Sequence, residues 1–287
     1  MITPKKIFRK ILKRYKNYRD FQYLRQTLEK NQIIFNSKKG KACFIFGNGP
    51  SIKNIDLTRL ADQETFGMNN FWKHPQYKII NLKYLVAGDL ASYAKNLRPI
   101  EAWGTNYIGG VDLPASNEII SQVPETKLVF NSVAKNFVEQ NQLFPQNQIY
   151  YVLEQCPMDE LLQFNLDLTK PIPFPKNSVI FALIIALYAG FETIYLLGCE
   201  HDFLANPAKK SPATFKRFYD TKENVPASYE EMSSYEEIAE SALRLFQNYR
   251  LLKKRAVQLY PRAKIYNATP NSFLDVFPMI NFEEIKL

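Results

Sequence analysis

Long apolar runs are missing from this 287-residue chain. No stretch approaches the roughly 18 consecutive apolar residues that a membrane-crossing helix requires, so a soluble or peripheral protein is expected. Cysteine is scarce as well. Cys43, Cys156 and Cys199 lie far apart, with no CxxC or Cys/His ligand spacing, which excludes a disulfide framework and a structural zinc site and fits a reducing compartment. The first residues have neither the apolar core nor the small-residue cleavage site of a secretory signal, and the expected location is the cytoplasm. Histidine is rarer still, with only His74 and His201. Glycine motifs are incomplete: the Lys-Ser/Thr ending of a phosphate-binding P-loop is absent, and so is the third glycine of the dinucleotide fingerprint.

What is present is an apolar content of 46%, enough for a substantial core, and a net charge of +9. That charge is local. Residues 1–30 hold ten Lys/Arg against two acids, which leaves a surplus of one over the rest of the chain. A nearly neutral body with one basic appendage does not resemble a domain with a basic groove, so no nucleic-acid partner is expected.

The appendage has Pro4 at a first-turn position and apolar residues at Ile7, Ile11, Tyr15, Tyr18, Phe21, Leu24 and Leu28, three or four apart. This spacing predicts a basic amphipathic helix within residues 1–35. Its apolar stripe packs either on the body, on a second subunit, or into an anionic membrane surface through residues 5–28. Beyond it, residues 41–287 read as one α/β domain. Short apolar runs predict strands at 42–46, 65–68, 83–87, 127–130, 148–152 and 193–197, with helical patterns between several of them. Alternation of this kind implies a Rossmann-like open, mostly parallel sheet with helices on both faces. The segment 179–189 is apolar all round and predicts a buried helix, capped by Asn177 or Ser178 and ended near Gly190. Ser234, with Glu237 at capping-box spacing, opens another helix to Ala256. The polar stretch 205–233, with Pro207, Pro212 and Pro226, reads as a lid-like loop.

Candidate site residues fall just after predicted strands, where ligands sit in open α/β sheets. The first strand runs into Gly47-Asn48-Gly49-Pro50-Ser51, whose backbone N–H groups, Asn48 amide and Ser51 hydroxyl are expected to meet a phosphate or sugar, unless the turn is purely structural. Asn69 and Asn70 follow the second strand, Asp89 the third, and His201 and Asp202 the run ending at Leu197. Ser178 opens the buried helix. His201, flanked by Glu200 and Asp202, is the expected catalytic base, its pKa raised or its ring oriented by those carboxylates, with Asp202 or Asp89 in reserve. Adjacent residues on one short loop rarely share an ion, so no metal site is expected there. His74, in Trp72-Lys73-His74-Pro75, reads as part of a surface turn.

These pieces, followed by Met68-Asn69-Asn70-Phe71, by Asn177-Ser178 leading to Gly190-Phe191-Glu192-Thr193-Ile194-Tyr195-Leu196-Leu197-Gly198, and by Lys264-Ile265-Tyr266-Asn267-Ala268-Thr269-Pro270-Asn271-Ser272, resemble the bacterial sialyltransferases that use CMP-sialic acid. The resemblance spans residues 41–275 and implies inverting, metal-independent transfer from a CMP-linked donor. It puts Gly47 to Ser51 at the donor nucleotide and phosphate, Asn69 at the nucleotide, and Asp89 where the family has an asparagine. Ser178 comes near the donor carboxylate or phosphate, and Asn271 and Ser272 at the cytidine end. Two features depart from the family. No histidine follows Asp202, where the family has its catalytic one, and Pro175 and Lys176 replace an arginine before Ser178.

Gly198-Cys199-Glu200-His201-Asp202 equally resembles a wider group that includes archaeal 6-hydroxymethylpterin diphosphokinases. Three functions therefore stand side by side. The first is a glycosyltransferase of bacterial lipopolysaccharide or capsule synthesis, peripheral on the inner face of the inner membrane, using a nucleotide-sugar donor, a glycan acceptor and no cofactor. The second is a magnesium-dependent diphosphokinase with the metal on carboxylates such as Asp89 and Asp202. The third is a non-catalytic nucleotide-binding protein. A homo-oligomer is compatible with each.

Overall fold

The computed structural model of the protein describes residues 4–88, 107–108, 111–158, 164–202, 204–205, 217–219 and 234–287. Asp89 and most of the 205–233 stretch lie outside them. The strands are β1 (Ala42–Phe46), β2 (Thr65–Met68), β3 (Tyr84–Ala87), β4 (Tyr107–Ile108), β5 (Val111–Asp112), β6 (Lys127–Asn131), β7 (Ile149–Val152), β8 (Glu154–Pro157), β9 (Ile172–Phe174), β10 (Thr193–Leu197) and β11 (Lys264–Asn267). The α-helices are α1 (Pro4–Glu29), α2 (Tyr77–Ile80), α3 (Leu113–Ile120), α4 (Lys135–Gln140), α5 (Ser178–Tyr188) and α6 (Tyr235–Leu259).

Seven strands form one sheet in the order β11-β10-β1-β2-β3-β6-β7, and every neighbouring pair is parallel. Parallel strands need cover on both faces. In β1, Cys43 and Ile45 join one apolar core while Phe44 and Phe46 join the other, as the two-residue strand period requires. The first core is filled by α5, whose eleven residues are all buried, and by Leu245, Tyr249, Leu252 and Ala256 of α6. Leu57, Leu60, Ile80, Leu113, Ile120 and Val138 cover the opposite face. The fold is thus the expected Rossmann-like α/β sheet with helices on both sides.

The chain lays down β1, β2, β3, β6 and β7 in one direction, then returns to place β10 and β11 on the other side of β1. The junction between β1 and β10 is a topological switch point, and the crevice beyond its carboxyl end is where ligands enter such sheets.

Both predicted helix starts are formed. The Asn177 side chain accepts a hydrogen bond from the Ile180 N–H at 3.0 Å. Ser234 and Glu237 exchange the two bonds of a capping box at 3.2 Å each. β11 was not anticipated from its own pattern, since Lys264-Ile265-Tyr266-Asn267 lies at the sheet edge and mixes polar with apolar residues.

The first helix runs from Pro4 to Glu29 and continues as a 3-10 turn over Lys30–Ile34. Its second half packs on the body. Leu24 and Leu28 bury against Leu153, Asn31 donates to the carbonyls of Tyr151 and Leu168 at 2.8 Å each, and Asn17 and Gln155 bond each other's backbone. Tyr15 and Tyr18, read from spacing as part of the apolar stripe, instead face solvent, as does Tyr23. Among the described residues no helix is long and apolar enough to cross a membrane.

If α5 is the support of the sheet, Leu183→Ala at its centre costs about 2–5 kcal/mol, while Val257→Ala on the outer face of α6 changes stability by less than about 0.5 kcal/mol. Urea unfolding of the two variants measures both; equal losses would show that α5 is not a close-packed core element.

Candidate functional site

β1 and β10 end in loops that touch. A Cβ on Gly47 would lie 2.1 Å from the Gly198 carbonyl oxygen, and one on Gly49 would lie 1.5 Å from Oε2 of Glu200. No side chain fits at either position, so glycine here answers to close approach and not to an unusual φ. The approach is held by hydrogen bonds. Gly47 N–H donates to Leu197 O at 2.7 Å, Gly49 N–H to Gly198 O at 3.0 Å, and Ser51 N–H to Glu200 Oε1 at 2.7 Å.

This corrects one expectation about the turn. Ile52 N–H also bonds inward, to Gly49 O, and Pro50, which opens a 3-10 turn over Pro50–Asn54, has no N–H. The N–H groups of Gly47, Gly49, Ser51 and Ile52 are therefore all spent inside the protein, and they do not form a phosphate cradle. The part such an anion would play is taken by the Glu200 carboxylate.

What the crevice offers instead is acceptors. Asn48 uses its Nδ2 on Met68 O at 3.1 Å, and Asn69 uses its Nδ2 on Ser178 Oγ at 2.8 Å. Their Oδ1 atoms, together with Ser51 Oγ and Glu200 Oε2, are shielded from solvent and have no hydrogen-bond partner among the described residues. Asn131 Nδ2, a donor at the end of β6, and Ser132 Oγ just beyond it are in the same state. Each such group costs about 1–3 kcal/mol while it is unmet. Asn131, Ser132 and Glu200 were not chosen as binding residues from sequence, although the strand-end rule applied to each of them.

His201 lies at the far side of the same loop. Its Nε2 is 2.9 Å from the Tyr249 hydroxyl and 3.3 Å from Asn177 Nδ2, and Asn177 Nδ2 donates to that hydroxyl at 2.9 Å. Asn177 thus caps α5 and braces Tyr249 of α6, whose hydroxyl is hydrogen-bonded to the ring. A second ring contact goes to the Cys199 backbone. Burial pushes the His201 pKa down to about 4, and the Cys199 contact and the charge of Asp202 only partly oppose it. The expected rise is reversed: desolvation outweighs the neighbouring carboxylate. His201 is a neutral, internally bonded ring, and its φ of 55°, like the 50° of Asn69, lies in the left-handed region. Non-glycine residues enter that region at a cost which clusters at functional sites.

The remaining predicted residues are placed as follows. Ser272 is committed internally: its hydroxyl donates to Cys199 O at 2.6 Å and accepts from Asn267 Nδ2 and Leu274 N–H, which corrects its expected role in donor binding. Asn271 beside it is exposed, with a φ of 54°. Asp202 is half-buried, and its carbonyl accepts from Ala205 N–H. His74 is not on a surface turn but buried, stacked on Phe71 at 5.3 Å and edge-on to Phe218. Phe218, whose N–H donates to Asn48 O at 2.9 Å, pins the described residues 217–219 onto the glycine turn.

No family model matches the chain, and no curated protein matches it in sequence. Among solved structures it is similar to the MAf glycosyltransferase from Magnetospirillum magneticum AMB-1, at 14% identity and a TM-score of 0.43, over 92% of this chain and 39% of that one. The chain spans about two fifths of that structure's length. The fold assignment rests on the sheet itself.

The histidine ring leaves a signature in the pH dependence of stability. The unfolded ring takes its proton near 6.5 and the folded one near 4, so in that window the unfolded state binds more protons and stability falls as the pH drops. In His201→Asn this part of the slope, at most about 1.4 kcal/mol per pH unit, is removed. Identical slopes for the variant and the parent in urea titrations across that window would mean that the ring is solvated.

Proposed function

We propose that this protein is a glycosyltransferase using a nucleotide-activated sugar, with a CMP-linked nonulosonic acid of the sialic type as donor, in bacterial lipopolysaccharide or capsule synthesis. One observation carries the reading. Beyond the β1–β10 switch point lie Asn48, Ser51, Asn69 and Glu200, whose shielded polar atoms have no partner among the described residues. A polyhydroxylated, nucleotide-linked substrate supplies donors to such a set, and the switch point is where a nucleotide meets this class of sheet. The sequence resemblance to CMP-sialic acid-dependent enzymes supplies the donor class. In this reading Asn271 contributes at the cytidine end. Ser178, at the start of α5, stands beside the donor's acidic groups, where the helix dipole favours negative charge. Transfer is inverting and needs no metal. Asp202 takes the acceptor's proton, because the Nε2 of His201 is engaged with Tyr249, and His201 holds the loop that carries Asp202.

The test is the melting temperature with CMP, CDP, UDP, GDP and ATP, each with and without magnesium. A ligand at a hundred times its Kd stabilises the native state by about 2.7 kcal/mol. Stabilisation by CMP without magnesium is expected. A shift produced by ATP plus magnesium alone would overturn the donor assignment in favour of a diphosphokinase.

The same reading places the protein on the inner face of the membrane through its first helix. Eight Lys/Arg fall within residues 5–19. Tyr15, Tyr18 and Tyr23 stand 67%, 62% and 52% exposed on the described part of α1, and tyrosine favours the headgroup level. Lys5, Lys6, Lys10 and Lys13 changed together to Gln should abolish flotation with phosphatidylserine vesicles at low salt. Flotation equal to that of the parent would refute the membrane role.

A further inference from the structure

The glycine turn and the loop after β10 contain an arrangement that goes beyond a general donor site. Glu200 sends its carboxylate into the Gly49–Ser51 turn, where Oε1 accepts from Ser51 N–H at 2.7 Å and Oε2 lies against Gly49 with no partner. The neighbouring unmet atoms are Asn48 Oδ1 and Asn69 Oδ1, both pure acceptors, and Ser51 Oγ, which can act either way. The N–H groups of Gly47, Gly49, Ser51 and Ile52 are spent, Pro50 has none, and a carboxylate beside them repels a phosphate. The chemistry that matches this set is a group rich in O–H donors.

We infer that Glu200, fixed inside the Gly49–Ser51 turn, is the docking point for a vicinal diol, with Asn48 Oδ1 as a second acceptor. This rests on the nucleotide-sugar reading and assigns the contents of the subsite: hydroxyls at the β1–β10 junction, with the acidic part of the donor elsewhere in the crevice. The diol has two sources, the ribose of the nucleotide or the sugar it carries. A carboxylate accepting O–H groups forms short, charge-assisted bonds, so losing one weakens binding by about tenfold to a hundredfold. Gly49 is part of the device, because any larger residue there would occupy the position of Oε2.

The experiment compares the affinities of CMP, 2′-deoxy-CMP, 3′-deoxy-CMP, free N-acetylneuraminic acid, inorganic phosphate and magnesium alone for the full chain and for Glu200→Gln. The glutamine keeps an oxygen for Ser51 N–H, circular dichroism confirms that the variant is folded, and the deoxy arms need no variant. For a ribose diol, wild type binds CMP at least tenfold more tightly than one or both deoxy forms, and Glu200→Gln removes that difference. For a sugar diol, the three nucleotides bind wild type alike, and Glu200→Gln weakens the free sugar. Equal affinities throughout, unchanged by the substitution, overturn the inference. So does tighter binding of CMP or phosphate to Glu200→Gln, since the carboxylate would then be occupying a phosphate's place, and so does Glu200-dependent stabilisation by magnesium alone. If no nucleotide binds but the sugar binds in a Glu200-dependent way, the nucleotide-donor reading fails and the diol subsite stands; binding of none of these ligands overturns both.

Discussion

Gly47 and Gly49 run against Gly198 and Glu200 with no space for a side chain between them, and much of the molecule is arranged around that contact. It joins the first strand of the sheet to one laid down about 150 residues later, at the one place where the strand order reverses. Because the two loops press together, the Gly47 and Gly49 N–H groups donate to the carbonyls of Leu197 and Gly198, and the Glu200 carboxylate is drawn onto the Ser51 N–H. A turn that looks in sequence like an anion cradle instead gathers the unmet acceptors Asn48 Oδ1, Asn69 Oδ1 and Glu200 Oε2 around it.

The buried helix α5 extends this constraint to a third layer. Its cap, Asn177, also holds Tyr249 of α6, and Tyr249 holds His201. Ser178, one residue on, accepts from Asn69 at the end of β2. The start of α5 thus aligns groups from β2, β10 and α6, and the cost of keeping His201 neutral and left-handed at φ is met by three hydrogen-bonding neighbours. The left-handed residues Asn69, Gly198 and His201 all follow strand ends, where the backbone must turn sharply from the sheet into the crevice.

Much of the fold was legible because it depends on local pattern. Ala42–Phe46 and Thr193–Leu197 are apolar runs bounded by turn residues, and a parallel strand covered on both faces requires such a run. The all-apolar Val179–Ala189 segment is explained by complete burial. β11 does not stand out in the sequence as a strand, since an edge strand needs little apolar content. At the site, the positions were legible and the pairings were not. Asn48, Asn69 and Ser51 were found from the strand-end rule, but which of their atoms remain unpaired depends on Met68, Ser178 and Glu200, partners 20, 109 and 149 residues away. The lowered pKa of His201 is hidden for the same reason: the flanking acids are visible in sequence, whereas desolvation under α6 is not. Ser272 matched a motif yet serves to tie the last loop to Cys199 and Glu200.

That tie has a consequence for the order in which the molecule is made. β1, β2 and β3 can pair soon after synthesis, but β1 keeps one open edge until β10 exists, and the loop after β10 is not latched until Ser272 has been added. At about 5–20 residues per second, the exposed edge of β1 waits roughly 8–30 s on the ribosome for its partner. During that time an apolar strand with unpaired N–H and C=O groups is a template for wrong pairing. Any truncation before the last loop removes the Ser272 latch on Cys199 although the strands it ties together have already been translated.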